Sequence, residues 1–152
     1  MKHLTSFNNH TDYQDYIDSS TTILSNVSYC KNENHTHFKA FDGIICTFNV
    51  TNISSPVTLI SNPNNCDYMF IDEEKVNPVN SYTFSKPGIH VVKYKLKSNL
   101  TYIDSSFFAG NSAIKSVRIQ ASNITELSYN CFTSCTNLEY VYIKSKITAI
   151  YN

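Results

Sequence analysis

The stretch "NITELSYNCFTSCTNLEYVYIKS", residues 123–145, repeats the apolar pattern of the stretch before it, "NLTYIDSSFFAGNSAIKSVRIQAS", residues 99–122. The pattern starts a third time in "KITAIYN", residues 146–152, where Ile147 and Ile150 follow their counterparts by 23 residues. A fixed period of this size is the sequence signature of a repeat solenoid. Six pairs of apolar side chains are each separated by 24 residues: Leu100 and Ile124, Ile103 and Leu127, Phe108 and Phe132, Ile114 and Leu138, Val117 and Val141, and Ile119 and Ile143.

Each repeat unit contains one short β-run, "SVRI" at 116–119 or "YVYI" at 140–143, and one less extended run around a phenylalanine. A unit this small cannot bury its apolar edge alone, so successive units must stack. The constant offset predicts parallel strands with Val117 beside Val141, and Phe108 buried and stacked on Phe132. The predicted core of the repeats comprises eleven side chains: Ile103, Phe108, Ile114, Val117, Ile119, Leu127, Phe132, Cys135, Leu138, Val141 and Ile143.

The order of these positions, I-x-x-x-x-F-x-x-[CN]-x-x-[LI]-x-x-V-x-I, resembles the BspA-type leucine-rich repeat, also called the LRR_5 class. The proline that usually follows the strand is absent, with Gln120 and Lys144 at its places. The resemblance implies cell-surface or secreted proteins of mucosal bacteria and protists that take part in adhesion, and it does not imply catalysis. It is carried by Ile103, Phe108, Asn111, Ile114, Val117 and Ile119 in the first unit, and by Leu127, Phe132, Cys135, Leu138, Val141 and Ile143 in the second.

The segment before the repeats has a β pattern. In "IICTFNV", residues 44–50, the apolar side chains alternate, and "HVVKYKLK", residues 90–97, alternates apolar residues with lysines, which predicts a half-buried antiparallel strand with a solvated lysine face. Residues 41–97 are therefore predicted to form a small β-sandwich-like domain, and residues 1–40 an irregular or partly disordered segment. The predicted fold class is β-rich α+β, with a small antiparallel β domain followed by about two and a third repeats in residues 98–152.

The composition excludes some classes of function. Lys and Arg together number 12 and Asp and Glu number 12, and this balance argues against a nucleic-acid-binding protein. No apolar run is long enough to span a bilayer. The amino-terminal "MKHLTSFNNHTDY" has no apolar segment after its lysine, so it does not resemble a conventional signal peptide. The compartment stays open: the chain is intracellular, exported by another route, or a fragment.

Cysteine and histidine do not form a recognisable reactive or metal site. The order Cys30, His35, His37, Cys46 is looser than the pairs of ligands in zinc sites, and Cys66 follows later. A cysteine nucleophile would need His37 or His90 beside it, and no spacing requires this. We therefore expect no enzyme, no metal and no cofactor.

Cys131 and Cys135 are four residues apart, so a disulfide between them is one reading. The other is that Cys135 is a buried ladder residue, since Asn111 holds the same place one unit earlier and the resembled family has Cys or Asn there. We favour the ladder, in which the thiol bonds weakly to backbone groups.

Seven N-x-[ST] sequons are candidate glycosylation sites, only a mild excess over what the Asn, Ser and Thr content provides. Asn99 and Asn123 are equivalent in the repeat, so their first role is predicted to be a turn or side-chain-to-backbone bond. The seven are Asn9, Asn26, Asn34, Asn49, Asn52, Asn99 and Asn123.

The outward side of the repeat strands is the candidate binding face. If Val117 and Ile119 point inward, their neighbours point outward, and Arg118 becomes a lateral neighbour of Tyr142. Aromatic residues and arginine are enriched at protein interfaces. The alternative is that they only cover the sheet through cation–π contact. The face comprises Ser116, Arg118, Gln120, Tyr140, Tyr142 and Lys144.

The resemblance to the BspA-type repeat implies a non-enzymatic adhesion or protein-interaction module whose partner is a host matrix or cell-surface protein. A truncated or decaying repeat fragment and an intracellular scaffold are the alternatives. The third unit lacks its phenylalanine and its second strand, so Ile147 and Ile150 are predicted to cover Leu138 and Ile143 only in part. An unpaired strand edge there predicts self-association through the C-terminal end.

Overall fold

The computed structural model describes residues 41–151, which are β-rich with almost no helix. The expectations for residues 1–40, including those for Cys30, His35, His37, Asn9, Asn26 and Asn34, lie outside the described residues. The strands are β1 (Ile44–Val50), β2 (Val57–Thr58), β3 (Cys66–Ile71), β4 (Glu74–Val76), β5 (Ser81–Tyr82), β6 (Gly88–Leu96), β7 (Tyr102–Ile103), β8 (Ile114–Ile119), β9 (Glu126–Ser128), β10 (Tyr140–Ile143) and β11 (Ala149–Tyr151), with 3-10 turns at Pro63–Asn65 and Tyr129–Phe132.

The strands form three sheets. The largest has six strands in the order β10-β8-β1-β6-β3-β4, the second has the order β11-β9-β7, and β2 pairs with β5. In the six-stranded sheet β8 and β10 are parallel, whereas β1 runs antiparallel to both of its neighbours, β6 and β8. The sheet therefore continues without a break across the boundary predicted at residues 97 and 98.

The predicted parallel pairing of the repeat strands is confirmed. Val141 pairs with Val117 and Tyr142 with Arg118, in the register that the 24-residue offset requires. A second parallel ladder joins the beginnings of the units, with Ile103 beside Leu127 and Leu127 beside Ile150. One repeat offset thus determines the register of two separate sheets.

Ten of the eleven side chains predicted for the repeat core are buried, and Phe132 is the exception. The rings of Phe108 and Phe132 are stacked as predicted, with centroids 5.9 Å apart and planes 9° apart. Phe108 is 2% exposed, but Phe132 is only partly buried. The burial of Phe132 was wrongly predicted because its ring packs against the core from one side, with solvent on the other.

The lysine face of β6 also differs from its prediction. The apolar alternation holds, since Val92, Tyr94 and Leu96 are buried. Lys93, however, is buried rather than solvated, and its Nζ lies 2.6 Å from a carboxylate oxygen of Glu73. The turn between β3 and β4 brings this carboxylate over the sheet, so the ammonium exchanges water for an ion pair.

The C-terminal end is covered more completely than the sequence predicts. Leu138 is 4% and Ile143 3% exposed, and Ile147 is fully buried beside them. The expectation of partial cover is therefore wrong: the short strand β11 pairs with β9 and closes the apolar layer although the unit is incomplete. Within the described residues, β10 remains the outermost strand of its sheet.

Candidate protein-interaction face

The six residues of the predicted face follow the alternation of β8 and β10. Arg118, on β8, and Tyr140 and Tyr142, on β10, are half-buried, while Val117 and Val141 between them are buried on the opposite side. Ser116 and Gln120 are also half-buried, and Lys144 is exposed.

Arg118 and Tyr142 form the centre of this face. The guanidinium carbon lies 4.5 Å from the ring centroid of Tyr142, which confirms the predicted lateral contact. Arg118 Nε donates a hydrogen bond of 2.8 Å to Gln120 Oε1, and Gln120 Nε2 donates to the carbonyl oxygen of Phe41. The arginine is thus positioned over the aromatic ring by an amide that is itself hydrogen-bonded to the backbone.

The far side of the face meets β1. The hydroxyl oxygens of Ser116 and Thr47 are 2.6 Å apart, so β8 is joined to β1 by side chains as well as by the backbone ladder. This contact fixes Ser116 at the border between the repeat strands and the strands that precede them.

Residues 41–43 form a support that the sequence did not reveal. Asp42 accepts hydrogen bonds of 2.7 Å from Lys95 Nζ and from the backbone N–H of Ser122. The hydrogen bond from Lys95, followed by that from Ser122, lowers the pKa of the Asp42 carboxyl below its usual value. The partners lie 53 and 80 residues away along the chain, so no local pattern could have indicated them.

A cavity of about 400 Å³ lies at the end of the face where β8 and β10 finish. Gln120 and Lys144 of the face line it, together with Phe41 and Lys146. The face therefore ends in a concave site that could receive one side chain of a partner.

The cysteines of the described range are buried free thiols. Cys135 Sγ donates to the carbonyl oxygen of Phe108 at 3.0 Å, and the side chain of Asn111 donates to the carbonyl of Thr58. Cys135 thus bonds to a backbone carbonyl of the preceding repeat, as the ladder interpretation predicts and the disulfide does not, and Asn111 bonds to a carbonyl of β2.

Burial also governs the chemistry of these thiols. It raises the pKa of Cys46 well above its ordinary range, raises that of Cys66 to about 12, and raises those of Cys131 and Cys135. Reactive cysteines show the opposite shift. The thiols of the described range are therefore protonated, packed side chains at neutral pH.

His90 was considered as the partner of a cysteine nucleophile. Its side chain instead contacts two other groups of the fold. Its Nδ1 lies 2.5 Å from Asp72 Oδ2, and its Nε2 lies 2.9 Å from the carbonyl oxygen of Lys86. Both ring nitrogens are therefore engaged, one by the turn between β3 and β4 and the other by the turn before β6. Residues 41–151 contain no group of three His, Cys, Asp or Glu side chains placed to hold a metal ion.

Comparison with known proteins gives one match. The family model described as "BspA type Leucine rich repeat region (6 copies)" matches residues 40–152, about three quarters of the chain. No curated protein and no solved structure matches the chain. In the part of the chain that the structure describes, no helix is long and apolar enough to cross a membrane.

Proposed function

Because the chain belongs to the BspA-type leucine-rich repeat family, we propose that it is a non-enzymatic adhesion module at a cell surface. Members of this repeat family generally act by binding proteins rather than by catalysis. The partner we propose is a protein of the host matrix or of another cell surface.

The proposed architecture is a small antiparallel β domain, residues 41–97, that caps the N-terminal end of a short solenoid, residues 98–152. The direction of the strands supports this division. β8 and β10 are parallel, as stacked repeats require, whereas β1 joins β8 in the antiparallel sense and so ends the repeating pattern. Solenoids need such a cap because a terminal unit otherwise exposes its apolar side.

The observation that carries the proposed binding site is the pair of Arg118 and Tyr142. These residue types are enriched among the residues that contribute most to binding at protein interfaces, and here they are in contact, with Arg118 hydrogen-bonded to Gln120. A side chain that is already ordered loses less entropy when a partner binds. Tyr140 and Lys144 extend the same face along β10, and Ser116 borders it on β8.

Binding is tested by surface plasmon resonance with the purified chain and a panel of immobilised matrix proteins. The double variant Arg118→Ala, Tyr142→Ala is expected to weaken binding by at least about 30-fold, as for a hot-spot pair. Lys86→Ala is the matched control because it removes an exposed cation in the turn before β6. Equal losses in both variants would contradict the proposed face, and no binding to any matrix protein would contradict the matrix as the source of the partner.

Self-association through β10 is a second proposed contact. β10 is the outermost strand of its sheet within the described residues, and a strand at this position is a common route of association between chains. Light scattering on the chain is expected to show a mass that rises with concentration. Tyr142→Pro, which removes a backbone donor from β10, is expected to reduce this rise, provided that circular dichroism shows an unchanged fold. A constant monomeric mass at high concentration would contradict this contact.

A further inference from the structure

Two sequons of the chain have isoleucine as their central residue and differ in their surroundings. Asn52-Ile53-Ser54 follows β1, and Asn123-Ile124-Thr125 lies in the turn that begins the second repeat. The sequence gives no reason to prefer the first. The structure separates them by what the amide nitrogen of each asparagine does.

The amide of Asn123 is already used by the fold. Its Nδ2 donates a hydrogen bond of 3.0 Å to the carbonyl oxygen of Lys97 and a second to that of Leu100. Ile124, the central residue, is fully buried. A group attached to Nδ2 would remove one of the two donors and would need space inside the turn between two repeats.

The amide of Asn52 has the opposite environment. Residues 51–56 are all exposed, and Ile53 is 41% exposed. Asn52 Oδ1 accepts the backbone N–H of Ser54 at 2.8 Å, which turns the side chain toward its own hydroxyl residue. Within the described residues, Asn52 Nδ2 has no hydrogen-bonding partner, so this nitrogen is accessible to a reagent that approaches from solvent.

The other two sequons of the described range are held by secondary structure. Asn49 lies in β1, where its neighbour Val50 is 2% exposed and paired with Gly88. Asn99 lies in the turn that is closed by the Leu100 N–H and the Lys97 carbonyl, and the Asn123 amide bonds to this carbonyl as well. Among the four sequons in residues 41–151, that of Asn52 alone is exposed over its whole length and outside a strand.

The same end of β1 carries apolar surface. Ile53 and Ile89 are two of the three large apolar side chains exposed in the described range, and Ile89 pairs with Asn49 at the end of β1. A glycan is bulky and solubilising. One attached at Asn52 would shield this end of the sheet.

We propose that, among the sequons of residues 41–151, Asn52 is an N-glycosylation site of the folded chain and Asn123 is not one. The donor is a lipid pyrophosphate-linked oligosaccharide. A bond forms between Asn52 Nδ2 and C1 of the first sugar, and the bond from C1 to the pyrophosphate oxygen breaks. The lipid pyrophosphate leaves with that electron pair, and Nδ2 loses one proton to the transferase. The proposal does not depend on the interaction face.

The test is an in vitro transfer reaction with an oligosaccharyltransferase and a lipid-linked oligosaccharide, followed by mass spectrometry of peptides. On the folded chain, Asn52 is expected to be modified at least about tenfold faster than Asn123, because exposing Nδ2 of Asn123 breaks two hydrogen bonds. The chain unfolded in urea and diluted into the reaction is the internal control, and both sites are expected to react there at similar rates.

Asn52→Gln is expected to abolish the modification of the peptide that contains residue 52 in the folded chain, and Thr125→Ala is expected to leave the modification of Asn52 unchanged. Comparable rates at Asn52 and Asn123 in the folded chain would overturn the proposal. So would a folded chain that stays unmodified at Asn52 under conditions that glycosylate a standard acceptor peptide.

Discussion

Phe108→Ala is expected to lower the free energy of unfolding by about 3–5 kcal/mol, the usual cost of removing a buried phenylalanine. Its ring is 2% exposed and lies 4.8 Å from that of Phe107 and 5.9 Å from those of Phe132 and Tyr94, measured between centroids. Tyr94 belongs to β6, and Phe132 belongs to the second repeat. The substitution would therefore open a cavity where the early strands meet the repeats.

The measurement is urea unfolding followed by circular dichroism, with Phe132→Ala as the matched control. Phe132 holds the same repeat position but is only partly buried, so its loss is expected to cost roughly half as much. Equal losses for the two variants would mean that Phe108 and Phe132 contribute equally to the free energy of unfolding despite their different burial. A loss below about 1 kcal/mol for Phe108→Ala would place the residue outside the core.

The repeat period predicted the part of the fold that depends on it. A constant offset fixes which residue of one unit lies beside which residue of the next, so the pairing of Val117 with Val141 followed from counting alone. The contact of Arg118 with Tyr142 followed in the same way. For both features, the 24-residue offset alone determines which two residues lie side by side.

The features that the sequence did not predict depend on contacts without a period. β1 lies between β6 and β8, and its 44–50 pattern shows a strand but not its neighbours. The burial of Lys93 depends on Glu73, 20 residues away, and was therefore missed.

The turn between β3 and β4 explains how Glu73 reaches Lys93. Two-residue hairpin turns usually contain glycine or asparagine, because both residues need positive φ. Here Asp72 and Glu73 adopt φ of 48° and 70°. The strain is offset by their carboxylates, since Asp72 Oδ1 accepts the Val91 N–H at 2.9 Å and Glu73 pairs with Lys93. Turn chemistry alone permits Asp at the first of these positions but does not predict Glu at the second.

The support of the candidate face was missed for a similar reason. Sequence alternation identified the outward residues of β8 and β10, but it could not show that Phe41 and Asp42 hold the end of β8. These contacts depend on a close approach of two backbones, and the residue that permits the approach is Gly43.

Gly43→Ala is expected to lower the free energy of unfolding by about 3 kcal/mol, the upper part of the range for overpacking a core. A methyl group at this position would overlap the carbonyl oxygen of Tyr94 and the ring of Phe41. The ring of Phe41 can move, but the carbonyl cannot, because Tyr94 lies in β6 between β1 and β3. The strain would also reach the face, since the Gly43 carbonyl accepts the Gln120 N–H at 3.0 Å.

Gly110→Ala is the matched control for this substitution. Gly110 has φ of +77° and nothing near its added methyl group, so the expected cost is only the roughly 1–2 kcal/mol of a left-handed conformation. Thermal unfolding should therefore rank the variants with Gly43→Ala as the less stable. The nuclear magnetic resonance signal of the Gln120 side-chain amide should shift in Gly43→Ala and stay in place in Gly110→Ala. If Gly43→Ala is as stable as the control and leaves this signal unchanged, β1 does not need glycine to approach β6, and residues 41–43 do not hold the end of the face.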